Sequence, residues 1–430
     1  MGESVLMSGF RRRDGELVCD DVSLSSIAAA VGTPTYVYSA EAVRGAYARL
    51  SQALVGLPVH IHYAMKANSN LALLAVVREC GAGVDVVSAG ELHRARLAGF
   101  ACSAIVFAGV GKTRLDLEYA LDVGVRCVNV ESEEELEVLS EVAVARGCIA
   151  PVSLRINPGV VNVTAGHAYI ATGEEGTKFG IPIERGVAAA QRASTLAGIT
   201  LIGLDMHIGS QIAEVAAFAD AQRRLRGLLD EVRATGISSI RAIDVGGGFP
   251  VAYHDDEPTA DLDGFATVLR ETFGDAGVDL IVEPGRFLVA EAGVLLTEVL
   301  YRKDSGAKRF MIVDAGMNDL LRPSHYEAHH AIEPVLPSAA PLRVVDVVGP
   351  VCESGDFLAL DRPLPDVGAG ALMAVRNAGA YGYVMSSNYN SRPRPAEVLV
   401  DGDTWGVVTV RETWDDLVRL ERIIPEWRER

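Results

Sequence analysis

Short apolar and β-branched runs alternate with longer segments of helical period between residues 58 and 292. This alternation is typical of repeated strand–helix units whose strands pair in parallel. Eight units can be counted, which is the number that closes into a TIM-like (β/α)8 barrel. The sequence thus predicts an α/β fold with barrel strands at Val59–Ala64, Val84–Val87, Ile105–Ala108, Cys127–Val130, Val152–Ile156, Leu201–His207, Ala242–Val245 and Leu280–Glu283.

Two of the intervening helices carry clear signals. Glu133–Ala145 follows Ser132, a good N-cap residue, and Glu135 stands where a capping-box partner would. A second helix is predicted over Val215–Ala234. In barrels of this type the chemistry lies where strands end and the next loops begin, so residues just after each predicted strand are the site candidates.

The pattern changes after Gly293 to β-prone stretches separated by Gly, Pro and Asp clusters. This pattern predicts a mostly β second domain, of sandwich or barrel type. The segment before the barrel also contains strand-like runs, so we expect it to pack with that domain. The predicted organisation is an N-terminal segment over residues 1–38, a barrel over 39–292 and a C-terminal β domain over 293–430.

Composition narrows the function classes. The chain has 430 residues, 49% of them hydrophobic, which is enough apolar surface for two cores. A formal charge of −18 argues against nucleic acid as a partner. No apolar run is long enough to span a membrane, and no apolar region follows the N-terminal arginines as it would in a signal peptide. The six cysteines lie far apart without a CxxC pair, which favours a reducing cytoplasm.

A lysine, Lys66, follows the first predicted barrel strand. A lone lysine there would ordinarily be a solvated surface charge. Later strands, however, bring His207 with Ser210, the triplet Gly246–Gly248, and Glu283 to the same rim. An amine for a Schiff base, glycines that let backbone N–H groups approach a phosphate, a flat imidazole and an acid together describe a pyridoxal 5′-phosphate (PLP) site.

Each of these residues has a role in such a site. Lys66 is the expected Schiff-base lysine, and His207 is expected to stack on the pyridine face. Glu283 would keep the pyridine nitrogen protonated, so that the ring accepts the electrons released when a bond to Cα breaks. The expected phosphate ligands are Ser210, Gly247 and Gly248.

The chain resembles the alanine-racemase-like family of PLP enzymes, and within it the meso-diaminopimelate decarboxylases, over nearly its whole length. The likeness is carried in the barrel by YAMKAN, RINP, KFGI, HIGSQ and EPGR, and beyond it by LLRPSHYEAHH, PVCESGD, GAYG and SNYNSRPRPAEV. The resemblance implies a barrel plus a C-terminal β-sandwich-like domain, independently of the strand count. Racemase relatives have an arginine at the pyridine nitrogen, so Glu283 favours decarboxylation.

The resemblance also implies that a partner subunit completes each site. Cys352 is similar to the family's thiol that protonates Cα after carbon dioxide leaves, and Glu353 to the acid that binds the distal ammonium. Tyr381 is similar to a ligand of the cofactor phosphate and the substrate. All three are expected from the other chain of a homodimer with shared active sites. The plainer alternatives are an inert buried cysteine and a core aromatic.

Further barrel ligands are implied by the same resemblance. Asp85 is similar to an acid near the Lys66 Schiff base, and Arg155 to a residue steadying the far side of the ring, although either could be structural. In EPGR, Gly285 and Arg286 are expected to bind the cofactor, and Arg286 also to reach the distal carboxylate.

Substrate choice is expected to rest on Arg322 and Tyr326, spaced as R-P-x-x-Y. Arginine presents a planar fork that pairs with a carboxylate, for which an ornithine-type substrate has no use. The implied reaction is decarboxylation of meso-2,6-diaminopimelate to L-lysine in lysine biosynthesis. The alternatives are a related decarboxylase acting on ornithine, a D-amino acid, carboxynorspermidine or a specialised-metabolite precursor, and a catalytically silent PLP-binding regulator.

Three histidines, His325, His329 and His330, stand where the family more often has aliphatic or aromatic residues. Their spacing lacks the glutamate of an HExxH zinc motif, so we predict a location at the rim and no metal site.

Overall fold

The computed structural model describes residues 9–160, 172–173, 176–254 and 256–425. The chain divides into two compact units. The barrel unit is Ala40–Ala292, and the β unit combines Met1–Ser39 with Gly293–Arg430. Among the described residues, no helix combines the length and the apolar character needed to cross a lipid bilayer.

The N-terminal segment begins with a small antiparallel sheet of β1 (Phe10–Arg13), β2 (Glu16–Cys19) and β3 (Val22–Ser23). Helix α1 (Leu24–Val31) comes next, and the Ser23 side chain caps it by accepting from the N–H of Ser26. Strand β4 (Thr35–Ser39) ends the segment and is buried along its whole length.

The barrel unit contains a closed ring of eight parallel strands, in which each strand pairs with the next and β13 pairs with β5. The two-residue strand β10 lies outside the ring and pairs with β9. The predicted α/β barrel is therefore confirmed. The strands are β5 (Val59–Ala64), β6 (Gly83–Val86), β7 (Ile105–Phe107), β8 (Cys127–Val130), β9 (Ala150–Asn157), β10 (Ile181–Pro182), β11 (Ile199–Asp205), β12 (Ala242–Asp244) and β13 (Asp279–Val282).

Helices connect the barrel strands. They are α2 (Ala40–Ala53), α3 (Leu71–Glu79), α4 (Ala89–Leu97), α5 (Arg114–Val123), α6 (Glu133–Arg146), α7 (Gly186–Thr195), α8 (Val215–Ala234), α9 (Leu262–Phe273) and α10 (Arg286–Val289). Short 3-10 turns occur at Met65–Ala67, Cys102–Ala104 and Ile183–Arg185.

Of the capping box predicted at α6, the Ser132 cap is present but the return bond from Glu135 is not. Ser132 does cap the helix, accepting from the N–H of Glu135 at 3.1 Å. The Glu135 carboxylate does not return this bond to Ser132 but accepts from the buried ammonium of Lys112 at 2.6 Å and from the N–H of Glu131 at 3.2 Å. A buried ammonium requires a counter-charge, and this demand outweighs the capping geometry.

The β unit is built on a sheet in the order β18-β17-β15-β14-β4-β20-β21, with β16 and β19 joined beside β14. Its C-terminal strands are β14 (Gly293–Ser305), β15 (Lys308–Val313), β16 (Ile332–Pro334), β17 (Leu342–Val348), β18 (Phe357–Pro365), β19 (Leu372–Val375), β20 (Ala396–Asp401) and β21 (Thr404–Thr409). It also contains the short helices α11 (Arg322–Tyr326) and α12 (Trp414–Val418), and 3-10 turns at Tyr383–Met385 and Tyr389–Ser391.

Strand β4 joins the N-terminal segment to the C-terminal residues of the β unit. It lies between β14, to which it is antiparallel, and β20, to which it is parallel. Val37 stands opposite both Val294 and Val398, and these valines share a core with Phe10 and Leu17. The segment before the barrel therefore supplies an interior strand of the second unit's sheet.

Candidate active site

Lys66 lies in the 3-10 turn directly after β5, between the buried side chains of Met65 and Ala67. Its Nζ is 3.3 Å from Oδ2 of Asp85, which comes from the neighbouring strand β6 and is fully buried. About a third of the lysine side chain, 34%, is exposed. The lysine thus presents its amine at the carboxyl end of the barrel with a buried counter-charge beside it.

The glycine triplet after β12 packs too tightly for any side chain. A Cβ on Gly247 would lie 2.1 Å from the carbonyl oxygen of Glu283, and one on Gly248 would lie 2.7 Å from that of Gly209. Gly248 also has a left-handed φ of +96°. The loop therefore presents bare backbone at the rim, as a phosphate cradle requires.

His207 comes after β11 and is held by that same loop. The N–H of Gly247 donates to its Nδ1 at 3.2 Å, so Nδ1 carries no proton and Nε2 does. Desolvation, together with the positive charges of Lys66 and Arg155, lowers the pKa of His207 well below its ordinary value. The imidazole is therefore a neutral flat ring in one fixed tautomer.

Three buried carboxyl groups lie together at the ends of adjacent strands: Asp205 on β11, Asp244 on β12 and Glu283 after β13. Burial raises the pKa of each, and for Asp244 it does so to about 7. Asp244 further raises the pKa values of Asp205 and Glu283, while Lys66 lowers those of Asp244 and Glu283. Burial and mutual repulsion thus favour the protonated forms of these carboxyl groups, and a cation beside them would stabilise the charged forms.

Within the part of the chain that the structure describes, one oxygen of each carboxyl group in this cluster is buried without a hydrogen-bond partner. For Glu283 this atom is Oε1. Buried polar atoms are normally paired, so unpaired oxygens are consistent with a missing donor at this place.

Arg286 is buried as the first residue of α10, so it is not the exposed loop arginine that its position after EPG would allow. Its Nε and Nη2 both lie 3.3 Å from Oγ of Ser210, and its Nη1 donates to the hydroxyl of Tyr253 at 2.8 Å. Gly285 lets this loop approach the lysine turn, because a Cβ there would lie 3.2 Å from the Cβ of Ala67.

Arg155 lies behind the carboxyl cluster. It donates to Glu131 at 2.7 Å and lies 4.0 Å from Asp205. Burial lowers its pKa, but Asp205 and Glu131 together raise it above the ordinary value. Arg155 therefore stays charged and neutralises part of the cluster, which is a structural role; its contact with the ring stays a prediction.

In the β unit, Arg322 and Tyr326 lie four residues apart on the short helix α11. Arg322 is buried, and its Nη1 is 2.8 Å from Nε2 of His330. His330 is fully buried, whereas His325 is exposed, so the histidines of this segment do not share one environment. The reason is that His330 packs between Arg322 and the carbonyl oxygen of Arg376, which lies 2.7 Å from Nδ1.

Cys352 and Glu353 are exposed on the loop between β17 and β18. The alternative of an inert buried cysteine is therefore wrong. Buried Asp356 shapes this loop by accepting from the N–H of Val351 at 2.6 Å. The N–H of Cys352 in turn donates to Oδ1 of Asn390 at 2.7 Å. The thiol is exposed, but its backbone is fixed.

Tyr381 is partly exposed and has a left-handed φ of +56°. This conformation is costly for a bulky residue and usually marks a constraint at a functional site. Tyr381 is therefore not simply a core aromatic.

The structure groups the predicted residues by unit. Nine lie at the carboxyl ends of the barrel strands: Lys66, Asp85, His207, Ser210, Gly247, Gly248, Glu283, Gly285 and Arg286. Five lie in the loops and the short helix of the β unit: Arg322, Tyr326, Cys352, Glu353 and Tyr381.

Sequence reasoning missed several residues that contact these groups. Asp205 and Asp244 end their strands, so the strand-end rule itself could have found them. Glu91 was also missed; burial raises its pKa to about 7, and it accepts from the N–H of Val87. The Tyr253 hydroxyl accepts from Arg286, and the Asn390 side chain accepts from the N–H of Cys352. Both lie far in sequence from the residues they bind, so no local pattern indicates them.

Residues 41–290 match the family model described as the pyridoxal-binding domain of pyridoxal-dependent decarboxylases. The sequence is 50% identical to diaminopimelate decarboxylase of Pseudomonas aeruginosa, over 98% of this chain and 100% of that protein. It is 39% identical to the diaminopimelate decarboxylase of Helicobacter pylori solved with L-lysine, with a TM-score of 0.89 over 92% of this chain and 98% of that one. For the M. jannaschii enzyme solved with L-lysine, the values are 35% identity and a TM-score of 0.90, over 97% and 98% of the two chains.

Proposed function

Because the chain belongs to the pyridoxal-dependent decarboxylases, and among them to the diaminopimelate decarboxylases, we propose that it removes carbon dioxide from meso-2,6-diaminopimelate and leaves L-lysine. The observation that carries this proposal is the convergence of an amine, a glycine cradle and a buried acid at one barrel rim. The carbon dioxide comes from the D-configured centre.

The residues at this rim fit pyridoxal 5′-phosphate. Lys66 offers an amine at the mouth, the Gly246–Gly248 loop offers backbone that no side chain obstructs, and Glu283 holds an unpaired buried oxygen. When bound, the cofactor supplies a carbonyl carbon for amines and a ring that accepts electrons from the substrate's Cα.

The barrel residues divide the work of holding this group. Lys66 would attach it covalently, with Asp85 as the negative charge beside the amine. Glu283 would be the acid for the ring nitrogen, and the neutral ring of His207 would be the stacking partner of the pyridine. Ser210, Gly247, Gly248, Gly285 and Arg286 would hold the phosphate, with Tyr381 as a further ligand.

The β unit supplies the substrate contacts. Arg322 and Tyr326 bind the distal carboxylate, which Arg286 also reaches, and Glu353 binds the distal ammonium. Cys352 delivers a proton to Cα after carbon dioxide has left. The distal carboxylate is what separates diaminopimelate from ornithine and other diamines, so the buried Arg322 is the residue that selects the substrate.

The working form is a homodimer with shared sites, in which the barrel of one chain meets Cys352, Glu353 and Tyr381 of its partner. Two-fold symmetric exchange yields two complete sites from two identical chains. The exposure of Cys352 and Glu353 supports this arrangement, because both groups are accessible to a second chain.

The protein works in the cytoplasm, where its reaction is a step of lysine biosynthesis. All six cysteines are free thiols, although several are partly or fully exposed, which suits a reducing compartment.

A substrate panel tests the function. Purified protein with added pyridoxal phosphate is given meso-diaminopimelate, L-ornithine, carboxynorspermidine or D-lysine, while carbon dioxide and amine products are measured. We expect rapid turnover of meso-diaminopimelate alone, with L-lysine as the product. Preference for another substrate would overturn the substrate assignment, and no carbon dioxide from any of them would favour the silent regulator.

A further inference from the structure

His330 and Arg322 form a buried contact that the family assignment leaves without a role. Nη1 of Arg322 lies 2.8 Å from Nε2 of His330, and the two side chains are 5% and 0% exposed. On the other side of the ring, Nδ1 lies 2.7 Å from the carbonyl oxygen of Arg376.

These two contacts fix the tautomer of His330. A carbonyl oxygen only accepts, so Nδ1 must carry a hydrogen, and a guanidinium only donates, so Nε2 must offer its lone pair. The neutral ring with the proton on Nδ1 is the form that satisfies both neighbours. His330 therefore acts as a directional acceptor for Arg322.

The histidine is itself held in place by the backbone around it. Nη1 of Arg362 donates to the carbonyl oxygen of His330 at 2.8 Å. The N–H of Arg376 donates to the carbonyl oxygen of Ala331 at 2.8 Å, where β16 and β19 begin to pair. The imidazole is thus fixed to a sheet, while Arg322 starts a helix of five residues. The rigid partner in this pair is the histidine.

We propose that His330 is a positioning residue that determines substrate specificity. By taking one of the five N–H groups of Arg322 in a fixed direction, it sets the plane of the guanidinium and so aims the fork at the distal carboxylate of the substrate. This inference rests on the proposed function, because it assigns Arg322 to that carboxylate.

Two substrates separate this role from general stability. D-Lysine has the same D-configured head and distal ammonium as meso-diaminopimelate but lacks the distal carboxylate. Loss of the Arg322 alignment should weaken recognition of meso-diaminopimelate and leave D-lysine unaffected. The readout is kcat/KM for each substrate; where D-lysine turns over too slowly, its inhibition constant against meso-diaminopimelate takes its place.

Three variants of His330 make the test specific. His330→Phe keeps the ring shape without an acceptor, and His330→Asn keeps a short amide near Arg376 that does not reach Arg322. For both, we expect kcat/KM for meso-diaminopimelate to fall by roughly tenfold to a hundredfold, mainly through KM, as for a charged donor that loses one acceptor. His330→Gln extends an acceptor to Arg322 and should recover most of the loss. The kcat/KM or inhibition constant for D-lysine should stay within about twofold of the wild-type value, because D-lysine has no distal carboxylate for Arg322 to bind.

The matched control is His329→Phe, which changes the adjacent histidine. It should preserve the ratio of the kcat/KM values for meso-diaminopimelate and D-lysine. Equal losses on both substrates, or no loss with either His330→Phe or His330→Asn, would overturn the proposal. If the His330→Phe chain does not fold, His330→Asn and His330→Gln decide alone. Failure of the proposed function is seen separately, as wild-type protein that does not decarboxylate meso-diaminopimelate.

Discussion

The two units hold their candidate chemistry in opposite ways. At the barrel rim, Asp85, Asp244 and Glu283 are buried, and burial raises the pKa values of the last two. In the β unit, Cys352 and Glu353 stand exposed on a loop. The barrel tunes these acids by removing water from them, whereas the Cys352 loop of the β unit has a fixed backbone and leaves its two candidate side chains in solvent.

The difference separates groups that are already buried within one chain from groups that a second chain could reach. Buried acids of shifted pKa and a phosphate cradle are complete features of the barrel, ready for a cationic ring. The loop of Cys352, tied down by Asp356 and Asn390, is rigid but not yet desolvated. The exposed thiol is accessible to a second chain, which is the basis of the shared-site proposal.

The largest expected effect is the loss of the barrel's amine. Lys66→Ala should lower kcat by at least about 10⁴-fold, since covalent attachment and proton handling both disappear. Borohydride reduction followed by peptide mass analysis should find pyridoxyl-lysine at position 66 in the wild type and none in the variant. Retained turnover would contradict the role of the rim.

Loss of the exposed thiol should cost less. Cys352→Ala is expected to lower kcat by roughly 10²- to 10³-fold, as for removal of a general acid, while cofactor absorbance stays unchanged. Cys148→Ala, a matched change in the barrel, should leave kcat at the wild-type value. A cofactor spectrum altered by Cys352→Ala would mean that the thiol also affects cofactor binding, which the account assigns to the barrel.

Removing one buried acid should stabilise the protein without cofactor. The pKa of Asp244 rises from 3.8 to about 7 on folding, so the folded state keeps a proton that the unfolded chain releases. The contribution of Asp244 to stability therefore falls as pH rises from about 4 to about 7 and then stays low. This part of the pH dependence is absent in Asp244→Asn, where Asp205 and Glu283 remain. At pH 8 the variant should be more stable by about 1 to 3 kcal/mol, and at pH 4 the difference should vanish.

Thermal unfolding across this pH range checks the prediction, with Asp230→Asn on an exposed helix face as the control. A stability difference that is independent of pH would mean that repulsion among the buried acids is not its cause.

The smallest expected effect concerns the support of Arg286. Tyr253→Phe removes one hydroxyl acceptor from the buried guanidinium, and we expect the dissociation constant for pyridoxal phosphate to rise by about three- to tenfold. Titration of the cofactor into stripped protein, monitored by absorbance, measures this. An unchanged constant would mean that the orientation of Arg286 does not depend on the Tyr253 hydroxyl.

The barrel was predictable because its signal is local and repeated. The predicted strands at Val59–Ala64, Cys127–Val130 and six other places coincide with observed strands to within about two residues at each end. The strands of the β unit were less predictable. Strand β18 carries two prolines and two charged residues, which obscure its pattern, and β16 is only three residues long.

Within the site, the sequence pattern located residues that come directly after a strand but not the residues that contact them from elsewhere in the chain. Lys66, His207 and Glu283 were found from strand ends. Tyr253 and Asn390 were not, because their partners lie 33 and 38 residues away with no intervening periodicity. The burial of His330 was missed for a similar reason, since it depends on the carbonyl group of Arg376, 46 residues later.

The central claim, that one chain's barrel works with another chain's thiol, is tested most directly by mixing two inactive variants. Lys66→Ala and Cys352→Ala chains are coexpressed, and the unseparated mixture of dimers is assayed on meso-diaminopimelate. Shared sites predict recovery of about a quarter of wild-type activity in a random mixture, because half of the dimers are mixed and each has one complete site. Activity no higher than that of the two variants assayed apart would contradict the account.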